Sequence, residues 1–475
     1  MRNCTVLVLT LLLRSGLLPA QLPADLKASL DHTLDSMRTK LGNKSLSAAI
    51  AFPQYTWARA TGTNSVTPAT QVTVQHAYLI GSVTKPITAA CILQLVDEGK
   101  LSLDDSLYRY VDTIPNINPN ITIRQLLQHR SGIFDVLYNP ALNQAFALNP
   151  GKIWQAEDLL HLYNQPPNDP PGGAWDYSNP NYWLLGMVIE RIEGKPFYSV
   201  YRERFFTPLE LKSFAIPAFE PLPGPVAHAW IDLNGDGITD DAHSWYMGNK
   251  ALNSAAGAAG GFFATPSDLA IWMRRYLRGD LLSAARMSEA KNTFYALGAQ
   301  GNQYGLGLMK NTLAGSLCYG HGGDLAYSAS AWYFPDCDLA ISVLNNDGAN
   351  LNGQPKYSSW ALLPVVAALY QAASSWCAAL DAPEPAAASA PELWPNPAQD
   401  RLHIRLGARL PATEPAMLTL LDVQGRVVLR QSWAGLAPAG DEAVLVLPAG
   451  LQPGVYVLQL SGERYAPAPV RVVLE

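Results

Sequence analysis

The spacing of apolar residues changes several times along the chain, and each change predicts an element. SLSAAIAFP (Ser45–Pro53) and TWARATGTN (Thr56–Asn64) read as two strands of a hairpin. AYLIGSVTKPITAACILQLVDEGKL (Ala77–Leu101) reads as a strand end followed by a helix. Apolar Ile87, Ala90, Cys91, Leu93, Leu95 and Val96 give that helix a buried character, and Gly99 ends it. A helical, loop-rich stretch runs on to about Leu252. Strand patterns return in SLCYGHGG (Ser316–Gly323), SASAWYFP (Ser328–Pro335) and DLAISVLNN (Asp338–Asn346). WALLPVVAALYQAAS (Trp360–Ser374) reads as a closing apolar helix. A sheet built from both ends of this block, with a helical insert between, is an α+β fold in two lobes: an antiparallel sheet flanked by helices, plus a mainly helical lobe. A site is expected in the cleft between the lobes.

Both ends of the chain follow other patterns. Residues 1–20 carry Arg2 and then a short apolar run, Cys4–Leu13, the form of a secretory signal; the run is too short to span a bilayer. Residues 21–380 form the block just described, and residues 381–392, rich in Ala and Pro, read as a linker. Short alternating runs fill residues 393–475, among them RLHIRL, MLTLLDV, RVVLRQ, AVLVLPA, VYVLQL and VRVVLE. About seven short strands separated by turn residues predict a small all-β sandwich.

Composition narrows the function. Of the 475 residues, 48% are hydrophobic, enough for a real core, and no mature membrane span is expected. Thirty-nine acidic against 33 basic residues leave a net charge of −6, with no basic stripe, which argues against nucleic acid as a partner. Cys91 lies in the buried helix and reads as a core thiol, whereas two of Cys318, Cys337 and Cys377 could pair in an oxidising compartment.

Three short segments carry candidate chemistry. Ser82 and Lys85 open the apolar helix three residues apart, on one face, so a desolvated amine can take the proton of a weakly nucleophilic hydroxyl. The Ser82 backbone N–H at a helix start also suits a developing oxyanion. Ser288 and Lys291 repeat the spacing and read as a solvated face. Tyr177 and Asn179 form the second segment, and of 21 tyrosines only Tyr177 has an Asn two residues later. Its phenol can shuttle a proton if the ammonium lowers its pKa, and the Asn179 amide can bond both the Lys and a substrate amide. The third segment is His321-Gly322-Gly323, where glycines in a strand admit close approach. The Asp324 N–H that follows is a candidate second oxyanion donor.

Taken in this order, S-x-x-K, Y-x-N and H-G-G resemble the motifs of the penicillin-recognising serine hydrolases: class C β-lactamases, D-alanyl-D-alanine carboxypeptidases and related esterases. LVDEGKLSLDDSLYRY, ITIRQLLQHRSGI (Ile121–Ile133), GGFFATPSDLAIWM and YGLGLM also resemble that family, so the likeness spans roughly Leu46 to Ala373. It implies Ser82 as nucleophile, Lys85 and Tyr177 as the proton-transfer pair, and Asn179 and His321 as substrate contacts beside Gly322 and Gly323. Asp324 supplies only its backbone N–H, and the segment around His129 is structural. His321-Gly322 replaces the Lys-Thr of a typical β-lactamase, which weakens a carboxylate site and disfavours β-lactam turnover. The tail, with Trp394-Pro395-Asn396-Pro397-Ala398, LLDVQGRVV and Pro453-Gly454-Val455-Tyr456, resembles the type A sorting domain of type IX secretion substrates. That likeness implies export to the medium or cell surface and contact with the type IX machinery.

The sequence thus predicts a secreted serine hydrolase acting through an acyl-enzyme on a small peptide or amide of the D-alanyl type. A carboxylesterase, a weak β-lactamase and a catalytically silent binding protein are its alternatives. Catalysis requires no cofactor. Asp232, Asn234, Asp236 and Asp240 resemble half of a calcium loop, and weak calcium binding in an insert is expected there, although His243 stands at the usual acidic position 12.

Overall fold

The computed structural model describes residues 22–232, 236, 238–296, 303–347, 358–377, 392–394, 398–405, 417–422, 426–432, 442–448, 450–461 and 470–474. The chain divides into two compact units, Met1–Cys377 and Ala378–Glu475. The signal segment at 1–20, the linker residues 381–391 and Asn234 of the calcium motif lie outside the described residues.

In the first unit a helix, α1 (Ala24–Leu41), precedes the hairpin of β1 (Ser45–Ala51) and β2 (Thr56–Val66). These join β3 (Ala69–Gln71), β4 (Tyr295–Ala296), β5 (Gln303–Tyr304), β6 (Met309–Leu313), β7 (Ser316–Asp324), β8 (Ser328–Phe334) and β9 (Leu339–Asn345). The nine strands form one sheet in the order β3-β2-β1-β9-β8-β7-β6-β5-β4, every pair antiparallel. The N-terminal hairpin therefore pairs with the C-terminal strands, as the apolar runs at both ends of the block predict.

Every residue of β1, β8 and β9 is buried, because helices cover both faces of the sheet. On one face Trp57 donates its indole N–H to Asp31 of α1, and Arg59 pairs with Asp35 one turn on. On the opposite face Ala49, Ala51 and Ala58 pack on Ala270 of a helix at Pro266–Arg278. That small-on-small contact lets helix and sheet approach closely.

Helices α2 (Thr84–Asp97), α3 (Ile123–Leu127), α4 (Pro180–Glu193) and α5 (Lys250–Gly260) belong to the helical lobe. Eleven of the 14 residues of α2 are buried, so it is the lobe's central element rather than an amphipathic surface helix. Among the described residues, no helix is long and apolar enough to cross a membrane.

Cys337, after β8, is disulfide-bonded to Cys377, just beyond the closing helix, whereas Cys91 and Cys318 are buried free thiols. Cys337→Ser is expected to lower unfolding stability by about 2–4 kcal/mol, since the bond closes a loop of 40 residues. Denaturant titration of oxidised protein and the variant measures this; equal midpoints would show that the closing helix is held by packing alone.

In the second unit, strands Glu392–Trp394, Arg401–Arg405 and Glu442–Val446 form one sheet. Val427–Ser432, Met417–Leu421, Gly454–Ser461 and Val470–Leu474 form another. Leu402, Ile404 and Leu445 from the first share one core with Leu418, Leu420, Leu458 and Val472 from the second, the packing of a β-sandwich.

Candidate active site

The nucleophile segment is gripped from two sides. Ser82 lies in a 3₁₀ turn, Gly81–Val83, and α2 proper begins at Thr84. On one side the Ile80 N–H donates to Phe262 O at 2.9 Å. On the other lies β7. A methyl group on Gly323 would come within 2.1 Å of Ile80 O and 2.7 Å of the Ser82 amide nitrogen. Gly81, at φ +52°, has the Asp324 amide nitrogen 2.9 Å from where its own Cβ would be. Two backbones thus touch where a side chain on either would part them, and the Ser82 and Asp324 amides are brought to one spot.

Lys85 is fully buried and its amine sits among three oxygens: Ser82 Oγ at 3.0 Å, Asn179 Oδ1 at 2.8 Å and Ala259 O at 2.9 Å. Asn179 Oδ1 and Ala259 O can only accept, so they take two N–H bonds. In the neutral amine this leaves the lone pair for the Ser82 hydroxyl. Burial lowers the Lys85 pKa to about 7, against the upward pull of the Asp135 carboxylate. The amine is therefore available as a base near neutrality.

Tyr177 stands over the same amine, with Lys85 Nζ 4.8 Å from its ring centroid. Its phenol interacts with the Ser82 hydroxyl, yet burial holds its pKa well above the ordinary value. The expectation of a phenol acidified by the ammonium is corrected here: desolvation outweighs the Ser82 hydrogen bond, the Asp135 and Asp324 carboxyls push the same way as desolvation, and Tyr177 is a neutral hydroxyl.

Asn179 makes the expected bond to the lysine. Its oxygen binds Lys85 and one Nδ2 hydrogen goes to Asp135 Oδ2 at 2.8 Å, which leaves the second hydrogen of the amide as the donor for a substrate. Asp135 is 6% exposed and was not singled out in the sequence; it also accepts from the Leu137 N–H. Nothing in SGIFDV marks this carboxylate as part of the site.

His321, by contrast, is turned away from its expected role as a substrate contact. It is 1% exposed, with Nε2 3.1 Å from the Tyr304 hydroxyl and Nδ1 2.5 Å from Gly322 O. Burial, with Lys85 nearby, lowers its pKa to about 3, so the ring is neutral. Gly322 packs on Ser359, whose N–H and hydroxyl both donate to the Asp324 carboxylate.

His129 is buried behind Tyr177, stacked on it at 4.1 Å between centroids, and is a structural neighbour rather than a member of the amine–hydroxyl pair. In the second Ser-Lys copy, Ser288 is exposed but Lys291 is half-buried over the rings of Tyr319 and Tyr333, which corrects the reading of a wholly solvated face. Asp232, Asp236 and Asp240 lie near the strands Trp230–Ile231 and Asp240–Asp241. Among the described residues no group of three or more His, Cys, Asp or Glu is placed to hold a metal ion.

Comparison with known proteins gives two matches along the chain. The family model described as Beta-lactamase matches residues 31–358, and that of the Secretion system C-terminal sorting domain matches residues 392–469. Penicillin-binding protein 4 of Amycolatopsis lactamdurans is 30% identical over 43% of this chain and 52% of its own. D-alanyl-D-alanine-carboxypeptidase/endopeptidase AmpH of Escherichia coli is 25% identical over 46% of this chain and 54% of its own. The chain thus spans about half the length of these curated relatives. Among solved structures, a D-stereospecific amidohydrolase from Streptomyces aligns with a TM-score of 0.59 and 28% identity, over 68% of this chain and 94% of its own. The D-amino acid amidase of Ochrobactrum anthropi, at 24% identity and a TM-score of 0.64 over 74% of this chain and 99% of its own, shares the fold.

Proposed function

The chain belongs to the beta-lactamase family, and from that membership we propose that it is an exported serine hydrolase whose Ser82 forms an acyl-enzyme with small D-alanyl-type peptides or amides. One observation carries the reading: the buried Lys85 amine lies 3.0 Å from Ser82 Oγ and within bonding distance of Asn179 Oδ1 and Ala259 O, so that in its neutral form those two acceptors take its N–H bonds and its lone pair faces the Ser82 hydroxyl. In the proposed reaction Lys85 takes the hydroxyl proton as Oγ attacks the carbonyl carbon. The Ser82 and Asp324 amides hold the oxyanion. The neutral Tyr177 hydroxyl passes a proton to the leaving nitrogen and regains one from Lys85, and water then releases the acid by the reverse path.

The D-alanyl preference rests on the relatives, named as a D-alanyl-D-alanine carboxypeptidase/endopeptidase and a D-stereospecific amidohydrolase. His321-Gly322, which presents neither an ammonium nor a hydroxyl to a substrate carboxylate, weighs against efficient β-lactam turnover and favours amides without that charge. The sorting domain at 392–469 implies export to the cell surface, and we assign its partner as the type IX machinery.

Intact mass after incubation with benzylpenicillin, followed by peptide mapping, tests the nucleophile. The expected result is a stable penicilloyl adduct confined to Ser82. An adduct on another residue would overturn the assignment, and no adduct together with no hydrolysis of D-alanine p-nitroanilide would overturn the D-alanyl reading.

A further inference from the structure

Beneath the reacting groups lies a chain of hydrogen bonds whose direction is fixed at both ends by the backbone. At one end the Ser178 N–H donates to His129 Nδ1 at 3.1 Å, and Asn181 Nδ2–H reaches the same nitrogen at 3.0 Å. Nδ1 must therefore accept, which puts the ring proton of neutral His129 on Nε2. That nitrogen is 3.2 Å from the Tyr304 hydroxyl. At the other end His321 Nδ1 is 2.5 Å from Gly322 O, and a carbonyl can only accept, so neutral His321 carries its proton on Nδ1. His321 Nε2 is left as an acceptor, 3.1 Å from Tyr304. The phenol joins the two halves, accepting from His129 and donating to His321.

We propose that Tyr304 is a positioning residue whose hydroxyl ties the loop carrying Tyr177 to the strand carrying the Asp324 oxyanion donor. The loop end is Ser178, next to Tyr177, and His129 also stacks on the Tyr177 ring. The strand end is Gly322, next to the glycine pressed against the Ser82 amide. The Tyr182 hydroxyl also bonds Tyr304 and gives its own proton to Leu127 O; donation from Tyr304 to His321 is the direction that satisfies both backbone ends and both rings. The His129, Tyr304 and His321 side chains are buried, so water does not replace a missing link cheaply. The role rests on the hydrolase reading above, whereas the network itself does not.

The test uses the full chain labelled with ¹⁵N-histidine, with ring signals assigned through His129→Gln and His321→Gln. Wild-type protein is expected to show His129 protonated at Nε2 and His321 at Nδ1. Tyr304→Phe removes one oxygen and keeps the ring. It is expected to shift both sets of signals and to lower kcat for p-nitrophenyl acetate by about tenfold, with KM changed less than about twofold. A role in stability alone would lower the thermal midpoint without this split. The opposite tautomer at either histidine would overturn the network even if the variant fails to fold, and so would unchanged kcat in a folded variant. Wild-type protein that shows the stated tautomers yet hydrolyses nothing would overturn the hydrolase reading, and the positioning role with it.

Discussion

Ser82→Ala is expected to fold as the parent does and to lose about four orders of magnitude or more in hydrolysis. The fold survives because Ser82 is only partly buried and lies in a 3₁₀ turn held by Ile80, Phe262 and Gly323, none of which needs its hydroxyl. What disappears is the atom that attacks. The Ser82 and Asp324 amides remain, and an intact oxyanion site alone still gives a residual acceleration over water. The variant should therefore be slow rather than inert, with no covalent adduct by mass. Activity within about tenfold of wild type would assign the attack to water and sink the acyl-enzyme.

The fold was legible where burial is two-sided or alternating. SLSAAIA and LAISVL read as strands because helices on both faces make every position apolar or small, and the sheet pairs them directly. Helix α1 was missed: only every fourth residue, Leu26, Leu30 and Leu34, is buried, so its stripe is too thin to stand out. Ser82, Lys85 and Tyr177 were readable as a spaced set, and the structure brings them together. Their electrostatics were not. Whether a phenol beside an amine is acidified depends on how much water surrounds it, and spacing does not encode that. The same limit explains Asn179, whose second amide end finds Asp135 across 44 residues, and the carbonyl of Ala259 on Lys85, which no motif reports. The family resemblance implies His321 as a substrate contact, and the glycines beside it read as marks of close approach. They do mark it, but the approaching group is the nucleophile's own backbone, and the ring turns inward to Tyr304.

The rate of acylation should rise with pH through about 7 and then level off, because the reacting form of Lys85 is the neutral amine and its pKa is lowered to about 7. Below that value each unit of acid lowers the neutral fraction, and with it the rate, by about tenfold. The sign follows from burial: water stabilises the ammonium, and a fully buried amine loses that stabilisation, so it sheds its proton earlier than a free lysine. Few other groups in the site can imitate this limb. Burial keeps His321 neutral down to about 3 and holds His129 well below its ordinary value, while the Tyr177 phenol is held well above its own. Asp135 is the nearest competitor, since burial raises its carboxyl and it reaches Lys85 through Asn179. Two variants separate them. Lys85→Ala should lower acylation by about a hundredfold or more and abolish the inflection near 7. Asp135→Asn keeps the shape at that position but removes the negative charge that favours the ammonium, so the inflection should move to lower pH. An inflection that stays near 7 in Lys85→Ala would place the base elsewhere. One that disappears in Asp135→Asn would assign it to the carboxylate.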